Sequence, residues 1–420
     1  MTQGVGTGIF THRFDYFCNF AFMESIRNIF KIGLGPSSSH TMGPRIAAER
    51  FADSNPDAKN FRVTLYGALG ATGKGHLTDK AILDILETQA PTEIIWEPET
   101  FLPFHPNGLK FEALDENGNI TATDTVYSIG GGDILHEGEK KGEGRQIYEL
   151  NRVGEILDWC EKSGRSYWEY VEMREGPEIW DYLKEVWEVM KDAVHRGLEA
   201  EGVLPGGLGI RRKAVSYYVH ASGYNSSLKS RGLVYAYALA VSEENASGGR
   251  IVTAPTCGSC GILPAVLYHL HTSKDFSEQR ILRALATAGL FGNVVKHNAS
   301  VAGAEVGCQG EVGVACAMAA AAASQLFGGT PAQIEYSAEM GLEHHLGLTC
   351  DPVCGLVQVP CIERNAYAAA RALDANLFAT FSDGRHSVSF DRIVEVMKQT
   401  GHDLPSLYKE TAKGGLAVIK

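Results

Sequence analysis

Thiols gather late in this chain. Between Gly303 and Asn365 it reads Gly-Ala-Glu-Val-Gly-Cys308-Gln-Gly-Glu, then an alanine-rich run, then Thr-Cys350-Asp-Pro-Val-Cys354-Gly-Leu-Val-Gln-Val-Pro-Cys361-Ile-Glu-Arg-Asn. Thiolates are the natural ligands of soft metal ions and iron–sulfur clusters. Glycines let backbone come close to a bulky inorganic group, and prolines fix the loops that carry the ligands. A zinc ribbon is excluded, because the stretch holds no second short Cys-x-x-Cys knuckle.

Other segments carry chemistry of their own. Gly35-Pro-Ser37-Ser38-Ser39-His40-Thr41-Met-Gly-Pro-Arg45 precedes a helical pattern over Ile46–Phe51. A polar loop feeding a helix N-terminus offers free N–H groups and hydroxyls to an anion. A serine-rich capping turn is the plainer alternative, but capping does not call for a histidine directly after the serines. Thr253-Ala-Pro-Thr256-Cys257-Gly258-Ser-Cys260-Gly-Ile-Leu-Pro264 reads as a loop opening onto a helix, with Lys296-His297-Asn298 further on. Cys257 and Cys260 lack the strand–helix surroundings of a thioredoxin-like pair, so a tight turn at a site is favoured over a redox dithiol or cluster ligands. Gly67–His76 is glycine-rich but lacks the Gly-Lys-Ser/Thr ending of a phosphate loop.

The elements that must position these groups fall into two kinds. Residues 1–22 show no period and read as a disordered extension. Strands are expected at Phe61–Tyr66, Glu93–Glu97, Leu109–Leu114 and Ile120–Ile129, with helix over 77–88 and a hairpin turn at Asp115–Gly118. Charge and glycine rise over 137–147, which reads as a linker. Beyond it, 148–162 and 177–200 carry apolar residues at three- and four-residue spacing. The fold class is therefore an α+β N-terminal domain over 23–136, followed by an all-α domain over 148–420.

Composition excludes several roles. A net charge of −12 gives nucleic acid no electrostatic partner. Nine cysteines, an odd number, without a secretion signal point to a reducing, cytoplasmic setting. The sequons at Asn225, Asn245 and Asn298 are then chance matches. The charge-free run Val312–Ile334 is mostly alanine and broken by Gly328-Gly329 and Pro331, so it predicts a buried core helix and no membrane span.

Taken in order, the motifs resemble those of the single-chain bacterial iron–sulfur L-serine dehydratases. The matching pieces are Gly35–Pro44, Gly73–His76, His105–Gly108, Ser128–Gly132, Thr253–Pro264, Asn298–Gly313 and Cys350–Asn365. The resemblance implies a regulatory or substrate-binding α+β module, a helical catalytic domain, and a [4Fe–4S] cluster held by Cys308, Cys350 and Cys361. It leaves Cys354 a bystander, where many relatives have alanine. Cys257 stands where many have asparagine, which implies that a substrate hydrogen bond expected there is weaker or is made by backbone. Cys316 and Cys160 read as packing residues, and Cys18 precedes the matching region.

The implied reaction removes water from L-serine. A cluster with three protein ligands leaves one iron open as a Lewis acid for carboxylate and hydroxyl. His40 is the favoured base for the Cα proton, ahead of His76, His297, His344 and His345. Ser37, Ser38, Ser39 and Thr41 would hold the substrate or orient His40, with Thr256, Cys257, Gly258 and Asn298 as further polar contacts. The product enamine becomes an imine and then pyruvate and ammonia, with no need for pyridoxal phosphate, although the sequence leaves Lys296 open as a Schiff-base lysine. The site is expected at the interface of the domains, in a homodimer. The rivals are an iron–sulfur L-cysteine desulfidase, a thiol-based redox or metal sensor, and a non-catalytic amino-acid-binding protein.

Overall fold

The structure, a computed structural model, describes residues 22–139, 146–410 and 413–418. The expected extension, with Cys18, lies outside them except for Phe22, as does 140–145 of the linker.

In chain order the first part comprises β1 (Ile32–Leu34), α1 (Gly43–Ser54), β2 (Asn60–Tyr66), α2 (Gly67–Thr72), α3 (Thr78–Leu86), β3 (Thr92–Glu97), β4 (Gly108–Leu114), β5 (Ile120–Gly130) and β6 (Asp133–His136). One sheet runs β3-β2-β4-β5-β6; β2 and β3 are parallel and the remaining pairs antiparallel. Alternation decides which face is covered. Phe61, Val63 and Leu65 of β2 and Leu109, Phe111 and Ala113 of β4 are buried with Ala47 and Phe51 of α1 and Ile82 and Leu86 of α3. The Phe51 ring lies 5.3 Å from Phe111 and 6.0 Å from Phe61. The hairpin turn closes as its sequence demands: Asp115 Oδ1 accepts from the Asn117 and Asn119 N–H groups, both at 2.8 Å, and Gly118 sits at φ 79°.

The glycine-rich run after β2 folds as α2 and a turn. Its N–H groups bond within the chain, Gly67 to Thr100 O at 2.9 Å, Ala68 to Pro106 O at 3.0 Å and Gly75 to Thr72 O at 3.0 Å. They are not turned outward to cradle a phosphate.

The second part is helical: α4 (Val153–Ser163), α5 (Tyr167–Glu175), α6 (Ile179–Glu199), α7 (Ala214–Ser222), α8 (Ser226–Ala246), then the short β7 (Arg250–Val252), α9 (Ile262–Lys274), α10 (Glu278–Asn298), α11 (Gly303–Val306), α12 (Val314–Leu326), α13 (Pro331–Glu343), α14 (Cys361–Thr380) and α15 (Phe390–Asp403). The alanine-rich α12 runs through the middle, packed by α9, α10, α13 and α14. Small side chains let those neighbours approach closely. A Cβ on Gly341 of α13 would lie 2.9 Å from Ala317 Cα and 3.0 Å from its N. Backbone cannot yield as a side chain does, so Gly341→Ala should lower unfolding stability by about 1–3 kcal/mol, measured by chemical denaturation. Among the described residues no helix is long and apolar enough to cross a membrane.

The two parts interlock at the start of the chain. Met23, Ile26, Ile29, Phe30 and Met42 belong to the core of the helical part. β1 pairs antiparallel with β7, Ile32 opposite Val252, and Thr253 Oγ1 donates to Ile29 O at 2.7 Å. Asp133 of β6 bridges the Lys31 and Lys296 ammonium groups. Lys296 is thereby held by a carboxylate.

Candidate active site

The loop between β1 and α1 is built around His40. Ser37 is extended at φ −129°, and its Oγ accepts from the His40 N–H at 3.1 Å. The Ser37 N–H donates to Thr41 Oγ1 (3.2 Å), Thr41 Oγ1 donates to the His76 carbonyl (2.8 Å), and Thr78 Oγ1 donates to the His40 carbonyl (2.5 Å). Ser39 Oγ lies 2.9 Å from His40 Nδ1. Three of the four hydroxyls named from sequence thus orient the histidine; the Ser38 hydroxyl makes no hydrogen bond among the described residues. The His40 ring is 0 % exposed and 4.5 Å from the ring of His76. Burial first, then His76 and His105, hold it well below the ordinary histidine range, as a neutral imidazole.

The thiols come from three places. Cys308 stands between α11 and the turn Gln309–Gly313 that opens α12. Cys350 lies on an extended loop, its N–H donating to Tyr408 O at 2.9 Å. Cys361 is the first residue of α14, behind Pro360. The Cys308 and Cys350 sulfurs lie with a Glu311 carboxylate oxygen inside 4.8 Å of one another. Both thiols donate to Glu311 Oε2, at 3.6 and 3.7 Å. Cys361 feels the charges of Cys308 and Glu311. The Cys308 thiol and burial push the Cys350 thiol far up; burial, Cys308 and Glu311 do the same to Cys361. Bare thiolates would not coexist here, and a cation among them removes that cost. Arg364 supplies one positive charge beside Cys308 and Cys361.

Two turns wrap this cluster. Thr256 Oγ1 donates to Glu311 Oε1 at 2.8 Å. A Cβ on Gly258 would stand 3.1 Å from that oxygen, and one on Gly303 would stand 2.6 Å from Glu311 Oε2 and 3.0 Å from Cys350 Sγ. Both glycines therefore let backbone pack against the Glu311 carboxylate and, at Gly303, against the Cys350 sulfur, where a side chain would collide. Asn365 locks the Thr256 turn to α14, donating to Gly258 O and Cys361 O (both 2.8 Å) and accepting from the Gly261 N–H (2.9 Å). Cys257 turns away; its Sγ is 3.7 Å from Met42 Sδ, and burial raises both its thiol and that of Cys260.

Glu410 connects the halves. Its N–H donates to Cys350 O at 2.7 Å, and its Oε1 is 3.8 Å from His40 Nδ1. Burial and the charge of Glu311 push its carboxyl up to about 8. That rise weakens it as a counter-charge for a proton on His40.

Asn298 does not join this assembly; its amide donates to Asn151 O (2.7 Å) and Val294 O (2.9 Å). Cys354 is exposed at φ 54°, and Cys160 and Cys316 are buried in the core. His345 is tied to Gly341 O at 2.7 Å, and His344 to Met340 O at 3.0 Å. Sequence reasoning passed over Glu311, Arg364, Asn365 and Glu410. A signal existed for the first: a carboxylate three residues after Cys308 shares its face of a helical turn. Glu410 has none, since only the tertiary path of the chain brings it in.

Known proteins resemble this chain along nearly its whole length. Residues 25–97 match the serine dehydratase beta chain family, and residues 112–417 match the serine dehydratase alpha chain family. The L-serine dehydratase of Streptomyces coelicolor is 42% identical, over 94% of this chain and 98% of its own. That of Mycobacterium tuberculosis is 40% identical over 94% and 97%, and that of Helicobacter pylori 36% over 94% and 98%. The chain belongs to the serine dehydratase family, with the beta-chain and alpha-chain regions in one polypeptide.

Proposed function

We propose that this protein is an L-serine ammonia-lyase that binds a [4Fe–4S] cluster through Cys308, Cys350 and Cys361. The observation that supports the reading is the meeting of the Cys308 and Cys350 sulfurs at Glu311, with Cys361 near enough to feel the charges of Cys308 and Glu311, and a buried imidazole 3.8 Å from Glu410, the residue whose N–H bonds Cys350 O. The donor set suits the cluster: soft, buried sulfurs whose thiolate forms need a cation. When bound, the cluster supplies a Lewis-acidic iron for the departing hydroxyl.

The protein's own groups do the rest. His40 takes the Cα proton, oriented by Ser37, Ser39 and Thr41. Ser38, with its hydroxyl uncommitted, and the Thr256–Gly258 turn, to which Cys257 contributes only backbone because its thiol faces Met42, complete the contacts to substrate. Loss of the β-hydroxyl as water then yields 2-aminoacrylate, whose imine tautomer hydrolyses to pyruvate and ammonia. The division into a smaller domain over 23–136 and a catalytic domain over 148–420, a cytoplasmic setting and a homodimer belong to the same reading. Free thiols support the compartment. Exposed Val219, Tyr224 and Leu228 on and beside α7 and α8 support an association surface.

The test is anaerobic reconstitution with iron and sulfide, followed by pyruvate assays with L-serine and L-cysteine side by side. Faster turnover of L-serine, lost in air and restored by iron, is expected. Full activity in an iron-free preparation would refute the cluster, and preference for L-cysteine would make the protein a desulfidase. The pH dependence follows from the base. Catalysis needs neutral His40, and burial lowers its proton affinity. The acid limb of kcat/KM should therefore fall below the ordinary histidine value of about 6.5, read from a pH–rate profile.

A further inference from the structure

The imidazole next to His40 has a tautomer fixed by its surroundings. His76 Nδ1 lies 3.2 Å from the Thr72 carbonyl. A carbonyl only accepts, so Nδ1 carries the proton and Nε2 is left with a lone pair. That Nε2 is sealed from solvent and has no hydrogen-bond partner in the protein. The residue is 1 % exposed, and burial keeps the ring uncharged, its pKa lowered to about 4. A buried acceptor without a donor is costly and calls for an explanation. Its ring stands 4.5 Å from that of His40, and its carbonyl holds Thr41 in the same loop. The missing donor therefore belongs to whatever occupies the site beside the base.

We propose that His76 Nε2 accepts a hydrogen bond from the α-ammonium group of the substrate and so selects amino acids at this site. The proposal rests on the reading of His40 as the base. A proton at Cα is flanked by three substituents: carboxylate, hydroxymethyl and ammonium. The first accepts hydrogen bonds only, and the hydroxyl must face whatever carries it away. The ammonium carries three donors and must meet an acceptor next to the base. A neutral imidazole with its lone pair presented meets that need without placing a full negative charge beside the base.

The test compares the reconstituted wild type with His76→Leu and His76→Gln. L-alanine and propionate are an unreactive pair that differ only by the ammonium group, and calorimetry gives the affinity for each; steady-state kinetics give KM and kcat for L-serine. In His76→Leu, L-alanine should bind about 10- to 100-fold more weakly, as expected for one hydrogen bond to a charged group. KM for L-serine should rise with it, while propionate affinity stays unchanged. His76→Gln, whose amide oxygen reaches the Nε2 position, should retain most of the L-alanine affinity. Equal weakening of L-alanine and propionate would overturn the proposal, because His76 would then only shape the pocket; so would unchanged binding of both, or a wild type that does not prefer L-alanine. Ammonium-dependent binding without pyruvate from L-serine would sink the lyase reading and leave this subsite standing.

Discussion

Replacing Cys350 by serine should remove iron and acid-labile sulfide from the reconstituted protein and leave no measurable pyruvate formation. The expectation rests on how the thiol is placed. Cys350 is held on both sides by backbone, its N–H on Tyr408 O and its carbonyl on the Glu410 N–H, so the loop cannot swing another donor into its position. A serine hydroxyl is a hard, weakly acidic ligand and does not replace a thiolate toward iron. The other sulfurs would keep their places around Glu311 but would be too few. Cys354→Ser is the control, since that thiol is exposed and points from a left-handed residue, φ 54°. It should leave metal content and turnover intact. Loss of metal in Cys354→Ser, or a Cys350→Ser variant that still holds the full complement, would show that the ligand set is wrongly drawn.

His40→Gln should lower kcat by about 10²- to 10⁴-fold, the range expected when a positioned general base is lost. KM and iron content should change little, because the hydrogen bonds of His40 run to Ser37, Ser39 and Thr78, and its backbone stays held by the first and last of these. Exchange of the Cα hydrogen of L-serine with solvent, followed by isotope incorporation, should fall in parallel with kcat. A variant that keeps wild-type turnover would move the base elsewhere, and His76 would be first in line as the ring in contact.

Much of the fold was legible because it depends on local pattern. The strand at Phe61–Tyr66 and the hairpin at Asp115–Gly118 announce themselves by alternation and turn chemistry, and the structure extends the strand by one residue. α13 begins as its sequence dictates, with a Thr330–Gln333 capping box and Pro331 in the first turn. What period and propensity do not carry is the path between elements. Nothing local says that Met23–Phe30 packs into the helical core, or that residue 410 returns to the imidazole of residue 40. The site was legible in the same uneven way. Cysteines and a serine-flanked histidine stand out by type, whereas Asn365 looks like any helix residue until its amide is seen bonding two carbonyls and one N–H. Asn298 shows the converse: a polar residue inside a matching motif whose amide ends up tying α10 to Asn151.

The way the chain start is buried has a practical corollary. Met23, Ile26, Ile29 and Phe30 are each 0 % exposed, and removing four such side chains from water contributes on the order of 10 kcal/mol. That plug, together with the β1–β7 pairing, sits at the front of the segment that also carries the imidazole. Genetic fission between Glu139 and Gln146 would therefore yield fragments with a built-in docking peg and socket. Co-expressed from separate reading frames, they would find each other without a tether, and each polypeptide alone would be inert.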